Sequence, residues 1–358
     1  MTFTLNDDAR MLKESARDFF REQAPVTRLR KQRDAKQNGR DPELWVEISA
    51  LGFAGVIIPE EYGGAGLGYA ALGAVLEEAG RTLVASPLHS SALAGASALL
   101  LAGTDAQKAE WLPKIASGEV IATIAIDESA HHAPSKSKLK FEGGKLSGVK
   151  QYVADGHIAD LIIIAGADAL YLVKADAPGV ARRELITADS RGAADITFDS
   201  APAEKMNGGA DVVDAILDRA RIGLAAEMVG AASEAFEITS EYLKTRRQFG
   251  QVIGGFQALQ HRAAKLFTDL ELTRSCVLAA LDAVDRNANN IAEYASLAKA
   301  RASETVHLAS NEMVQLHGGI GMTDAHDAGL YLKRARVTEA LYGGASFHRD
   351  RYARLLGF

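Results

Sequence analysis

Hydrophobic positions along the chain fall into three textures. From Asp7 to about Gly118 they recur with helical spacing, over Met11–Phe20, Leu44–Leu51, Tyr69–Leu83 and Gln107–Ile115. Pro59, Gly63, Gly64, Gly66 and Pro87 punctuate these segments. From Glu119 to about Met206 the pattern shortens to β-type runs rich in Val, Ile, Tyr and Thr: Val120–Ile126, Lys145–Val153, Asp160–Gly166, Ala169–Val173 and Ala194–Phe198. From Asn207 onward long helical stripes return. Ile222, Val229, Phe236 and Leu243 recur every seven residues. Leu259, Ala263, Leu266, Leu270, Thr273, Val277, Ala280 and Val284 alternate steps of four and three. Such stripes predict long helices packed nearly antiparallel in a bundle. The first, Asp211 to Arg246, would span roughly 54 Å at 1.5 Å per residue. Breaks are expected at Gly254–Gly255 and at Asn287–Asn290. The expected organisation is therefore an N-terminal helical domain (1–118), a small β-barrel-like middle domain (119–206) and a C-terminal four-helix bundle (207–358).

Composition narrows the choice of partners. The 358 residues are 47% hydrophobic and 24% charged, enough to bury real cores, and a net charge of −6 gives no overall basic field for nucleic acid. A lone cysteine, Cys276, excludes an internal disulfide and a cysteine-based metal site. The acidic start lacks the apolar run of a secretory signal, so a cytoplasmic location is expected. Thr82–Thr104 carries no Asp, Glu, Lys or Arg, but its serines, His89 and Pro87 argue for a buried Ala-rich helix over a membrane span.

Most chemical motifs fail on context. Gly66-Leu-Gly68-Tyr-Ala-Ala71 matches a loose dinucleotide fingerprint, yet the strand–turn–helix setting that such a site requires is missing. The nine histidines show no metal-binding spacing, and His131–His132 has no carboxylate at useful spacing. Nucleophile elbow and phosphate-binding loop are both absent. Two clusters remain. Arg246-Arg247-Gln248-Phe249-Gly250 closes a long helix, where cations and glycine also serve as ordinary helix-ending residues. The same residues make a clamp: guanidinium groups grip a diphosphate while a phenyl ring packs on a purine. Gln315-Leu316-His317-Gly318-Gly319 is complementary, because its glycines admit a ligand close to the backbone and Gln315 can read polar edges.

Taken with the domain order, these residues resemble the acyl-CoA dehydrogenase family of flavoproteins over nearly the whole chain. Pro59-Glu-Glu-Tyr-Gly-Gly-Ala-Gly66, Leu112-Pro-Lys-Ile-Ala-Ser-Gly-Glu119 and Gly148-Val-Lys-Gln-Tyr-Val-Ala-Asp-Gly156 are similar to further family motifs. The resemblance implies FAD as cofactor, an acyl-CoA thioester as substrate, and a dimer or tetramer. It also implies that Arg246, Phe249, Gln315, Gly318 and Gly319 serve the adenine and diphosphate portion of a neighbouring subunit's FAD. Tyr152 stands where the family often stacks an aromatic on the flavin. Asp127 and Ser129 stand in the flavin-contact stretch, followed by Ala130-His131-His132-Ala133 in place of the usual Gly-Ser pair.

The departures concern the general base. The two places where the family carries its glutamate hold Gly343, in Tyr342-Gly343-Gly344-Ala345, and Ala220, before Arg221. A positioned base contributes roughly 10²–10⁴-fold, so its loss is not a minor variation. The expected reading is a base-lacking subunit of a heteromeric bacterial acyl-CoA dehydrogenase. Three alternatives stand beside it: an independently active enzyme with a relocated carboxylate (Asp218, Glu227 or Glu339), a flavin-dependent oxidase or monooxygenase of the same fold, and a structural subunit that binds no nucleotide.

Overall fold

A computed structural model describes residues 5–134, 136–167 and 169–358. The chain divides into two compact units, one of Met1–Arg28, Gly73–Val84 and Arg221–Phe358, the other of Leu29–Leu72 and Ala85–Ala220. Helix α1 (Asp7–Gln23) starts where the Asn6 side chain accepts from the Ala9 amide at 2.8 Å. It is followed by α2 (Val26–Asp34), α3 (Pro42–Ala50) and α4 (Gly68–Arg81). The unit boundary at Leu72 falls within α4.

Thr82–Thr104, which begins in the first unit and runs on into the second, is not one helix as expected. Leu83 takes a left-handed conformation, and a π-helical stretch Leu88–Gly95 precedes α5 (Ala96–Ala102). Its serines explain the polarity: Ser91 Oγ accepts the Ala122 amide at 3.0 Å, and Ser90 Oγ donates to Asp155 at 2.6 Å. A reciprocal Thr104–Gln107 capping box then opens α6 (Asp105–Ala116).

Eight strands follow: β1 (Ala122–Ala125), β2 (Lys140–Glu142), β3 (Lys145–Ala154), β4 (Leu161–Ala165), β5 (Leu170–Lys174), β6 (Val180–Ile186), β7 (Gly192–Pro202) and β8 (Glu204–Lys205). They form two four-stranded sheets, ordered β1-β4-β5-β8 and β2-β3-β7-β6. Among the described residues only β1 and β4 pair in parallel, with Ala122 opposite Leu161. Leu146, Val153, Ile162, Ile164, Ile196 and Phe198 sit in the core these strands enclose. All five expected runs are strands. The expected runs leave out the short strands β2 and β8 and also β6, whose Ala-Arg-Arg-Glu centre is exposed and shows no apolar alternation.

Helix α7 (Ala210–Thr245) crosses the boundary at Ala220 and carries the first unit onward through strands β9 (Arg247–Gln248) and β10 (Gln251–Val252). Four helices complete it: α8 (Gln257–Asp285), α9 (Ile291–His317), α10 (Ala328–Ala340) and α11 (Ala345–Leu355). The predicted stripes are the packed faces. Ile222, Val229 and Leu243 are buried on α7, and Leu266, Leu270, Val277 and Ala280 on α8. Within this stripe Thr273 meets Thr305 of α9 by a 2.7 Å hydroxyl pair. Alanine-rich and glycine faces allow close approach: a Cβ on Gly230 would lie 1.8 Å from the Glu77 carbonyl oxygen. Among the described residues, no helix is long and apolar enough to cross a membrane.

Candidate functional site

The end of α7 turns directly into a two-residue hairpin. Phe249 and Gly250 both adopt positive φ, 53° and 80°, which is what a tight I′-type connection between β9 and β10 demands. The turn thrusts the Phe249 ring outward, 90% exposed, with an edge contact to Phe256 at 6.1 Å. Arg246 and Arg247 are exposed beside it. A phenyl ring held in water next to two guanidinium groups fits a planar heterocycle bearing phosphates.

The second cluster ends α9. Gln315 is exposed, and its carbonyl takes the Gly318 amide as the helix closes. Gly318 then adopts φ 62° and ψ −138°, a conformation that side-chain-bearing residues avoid. A Cβ at Gly318 or Gly319 would meet nothing within 4 Å, so the backbone there faces open space. The two clusters are joined by a contact that sequence reasoning missed. Tyr242, one turn before Arg246, lies against the buried His317 ring at 4.4 Å and donates to the His317 carbonyl oxygen at 3.4 Å. His317 also stacks on His326 at 4.2 Å, and its Nδ1 bonds the Met313 carbonyl at 2.7 Å. Burial, chiefly, pushes the His317 pKa down, which favours the neutral ring.

In the other unit the stretch expected to contact flavin is turned on itself. Asp127 binds His132 Nδ1 at 3.0 Å and the Ala133 amide at 2.9 Å. The expectation that His132 lacks a carboxylate partner is thereby corrected, because the loop doubles back over five residues. Ser129 exchanges both its hydrogen bonds with the His131 backbone. Glu128 accepts from Ser137, the Lys138 amide and Lys150, whose ammonium is fully buried and also donates to the Ile126 carbonyl. Tyr152 is half-exposed at φ 53°, its amide held by Asp195. Among the described residues no group of acidic, His or Cys side chains could hold a metal ion.

Neither of the two expected glutamate positions bears a carboxylate. Ala220 is buried, and its carbonyl bonds His89 Nε2 at 3.0 Å. Gly343 lies in the turn between α10 and α11, where its carbonyl takes Lys299 Nζ at 3.0 Å. Of the three substitute carboxylates, Glu227 is buried against Arg334, at 2.7 Å, and Glu339 pairs with Arg336 and His307. Asp218 is buried.

Two family models match the chain: the acyl-CoA dehydrogenase N-terminal domain over residues 6–119 and the C-terminal domain over residues 207–357. Acyl-CoA dehydrogenase IpdE2 of Mycolicibacterium smegmatis is 32% identical, over 95% of this chain and 96% of its own. A solved structure described as the Tcur3481-Tcur3483 steroid ACAD G363A variant is 32% identical with a TM-score of 0.91, covering 99% of this chain and 98% of that one. The ChsE4-ChsE5 complex of Mycobacterium tuberculosis is 28% identical with a TM-score of 0.90, covering 99% of each chain. With its helical–β–helical order and its two matching domains, the chain belongs to the acyl-CoA dehydrogenase family, flavoproteins that use FAD to oxidise acyl-CoA thioesters.

Proposed function

We propose that this chain is a non-catalytic subunit of a heteromeric acyl-CoA dehydrogenase, located in the cytoplasm, that completes an FAD site on a related subunit bearing the glutamate. In that role Arg246 grips the diphosphate, Phe249 packs on the adenine, and Gln315, Gly318 and Gly319 line the same nucleotide portion. FAD, when bound, accepts the hydride released as the thioester is desaturated. This chain's residues bind and orient the nucleotide and supply no proton acceptor at Gly343 or Ala220.

One asymmetry carries the reading. Arg246 and Phe249 are displayed outward at the end of α7 and on the hairpin that follows it, whereas Asp127 and Ser129 of the chain's own proposed flavin-contact stretch are hydrogen-bonded within their loop. The relocated-base alternative loses support from the ion pairs that hold Glu227 and Glu339. Both structural neighbours quoted above bear paired names, which favours a hetero-oligomer over a homo-oligomer. One of them is described as a steroid enzyme, and a polycyclic acyl group is accordingly the substrate class proposed for the assembly.

Purification of the chain by itself tests this. It should carry little flavin and show no dehydrogenation of acyl-CoA thioesters, and co-expression with a glutamate-bearing relative should restore both. A yellow, fully active homo-oligomer would refute it.

A further inference from the structure

The turn at Gly343 is unusual in its backbone as well as in its missing acid. Gly343 has φ 102°, a region L-residues rarely enter. A Cβ built there would lie 2.5 Å from Phe347 Cδ1 and 3.0 Å from Cε1. Phe347, half-buried in the first turn of α11, is not a loose side chain that can swing aside. The Arg221 guanidinium lies 5.7 Å from its ring centroid, and the His348 ring meets it edge-on at 5.1 Å.

The backbone is fixed as firmly as the ring. Arg221, fully buried, donates from Nε to the Tyr342 carbonyl at 3.3 Å, and His348 Nε2 bonds the same oxygen at 3.0 Å. Lys299, also fully buried, donates to the carbonyls of Gly343 at 3.0 Å and Glu339 at 3.2 Å, and to Ser303 Oγ at 3.2 Å. Two successive carbonyls are thus tied to three nitrogen-bearing side chains from α7, α9 and α11. Rotation of Gly343 to negative φ would break these bonds in a place where water cannot replace them.

We propose that Phe347, braced by Arg221 and His348, fills the space that a side chain at position 343 would need, while Lys299 locks the turn in a conformation only glycine accepts. The loss of the acid is therefore built into the packing of α10 and α11, and replacing Gly343 alone cannot restore a base. This rests on the reading of position 343 as a family glutamate site.

The test is a double-mutant cycle on the full chain, read by thermal unfolding of Gly343→Ala, Phe347→Ala and the pair. Gly343→Ala should lower Tm by about 4 °C or more in the wild-type background. In the Phe347→Ala background it should cause half that loss or less, because the ring is gone and only the backbone term remains. Equal losses in both backgrounds would overturn the proposal, as would a Gly343→Glu variant melting at the wild-type temperature. Should Phe347→Ala fail to fold, Phe347→Leu reads the same coupling with a shorter side chain. An active, flavin-loaded wild-type homo-oligomer would instead defeat the subunit reading and leave this coupling as measured.

Discussion

Lys299 is a fully buried amine whose neighbours include another cation. Burial first, and Arg221 next, bring its pKa down to about 7, with Glu339 opposing them. In the unfolded chain a lysine keeps its proton to about pH 10.4. Between those two values the unfolded state holds more protons, so stability rises with pH. The contribution is fully present above the unfolded pKa and is lost as pH falls toward 7, at about 1.4 kcal/mol per pH unit over the steepest part. The difference in urea stability between wild type and Lys299→Met should therefore slope upward from pH 7.5 to 10, and a flat difference would show that Lys299 does not titrate there. This lysine was invisible in the sequence: it lies on an Ala-rich helical face where a charge reads as solvated. Its importance comes from carbonyls 40 and 44 residues away in the chain. Phe347 was hidden for the same reason, since a steric conflict with Gly343 depends on a backbone angle that no residue pattern records.

Elements were more legible than residues. Heptad spacing on α7 and α8 marks buried stripes because a helix presents the same face every third and fourth residue, whatever the tertiary partner. The polar strand β6 has no such signature, as most of its residues face solvent. The sequence of the β9–β10 hairpin predicts the end of a helix with a clamp on it; the positive φ at Phe249 shows why the ring faces outward. A consequence belongs to this element alone. Phe249 is 90% exposed and meets Phe256 edge-on at 6.1 Å, so Phe249→Ala should change the stability of the chain by no more than about 0.5 kcal/mol. In the reconstituted assembly, the same substitution combined with Arg246→Ala should weaken FAD binding at least tenfold, about 1.4 kcal/mol, through loss of stacking and a charge-assisted phosphate contact. Fluorescence titration of the flavin-stripped assembly measures it. An unchanged affinity would remove the hairpin from the nucleotide site.

At the scale of the whole molecule, a cofactor site shared between chains differs from one within a chain in its dependence on concentration. A ligand gripped by two subunits is retained only while they remain associated, so its apparent affinity follows the association equilibrium by mass action. A pocket built wholly inside one folded chain holds its ligand equally well at any protein concentration. The outward display of Phe249 and Arg246 and the local hydrogen bonding of Asp127 and Ser129 within their own loop put this protein in the first class under the proposed function. Dilution of the flavin-loaded assembly at constant free FAD should accordingly release flavin over the same concentration range in which the subunits separate. Flavin fluorescence and sedimentation, followed on one dilution series, should show coincident midpoints. Should the subunits separate while each glutamate-bearing chain keeps its full complement of flavin, the nucleotide would be held within one chain, and the hairpin would serve assembly and not cofactor binding.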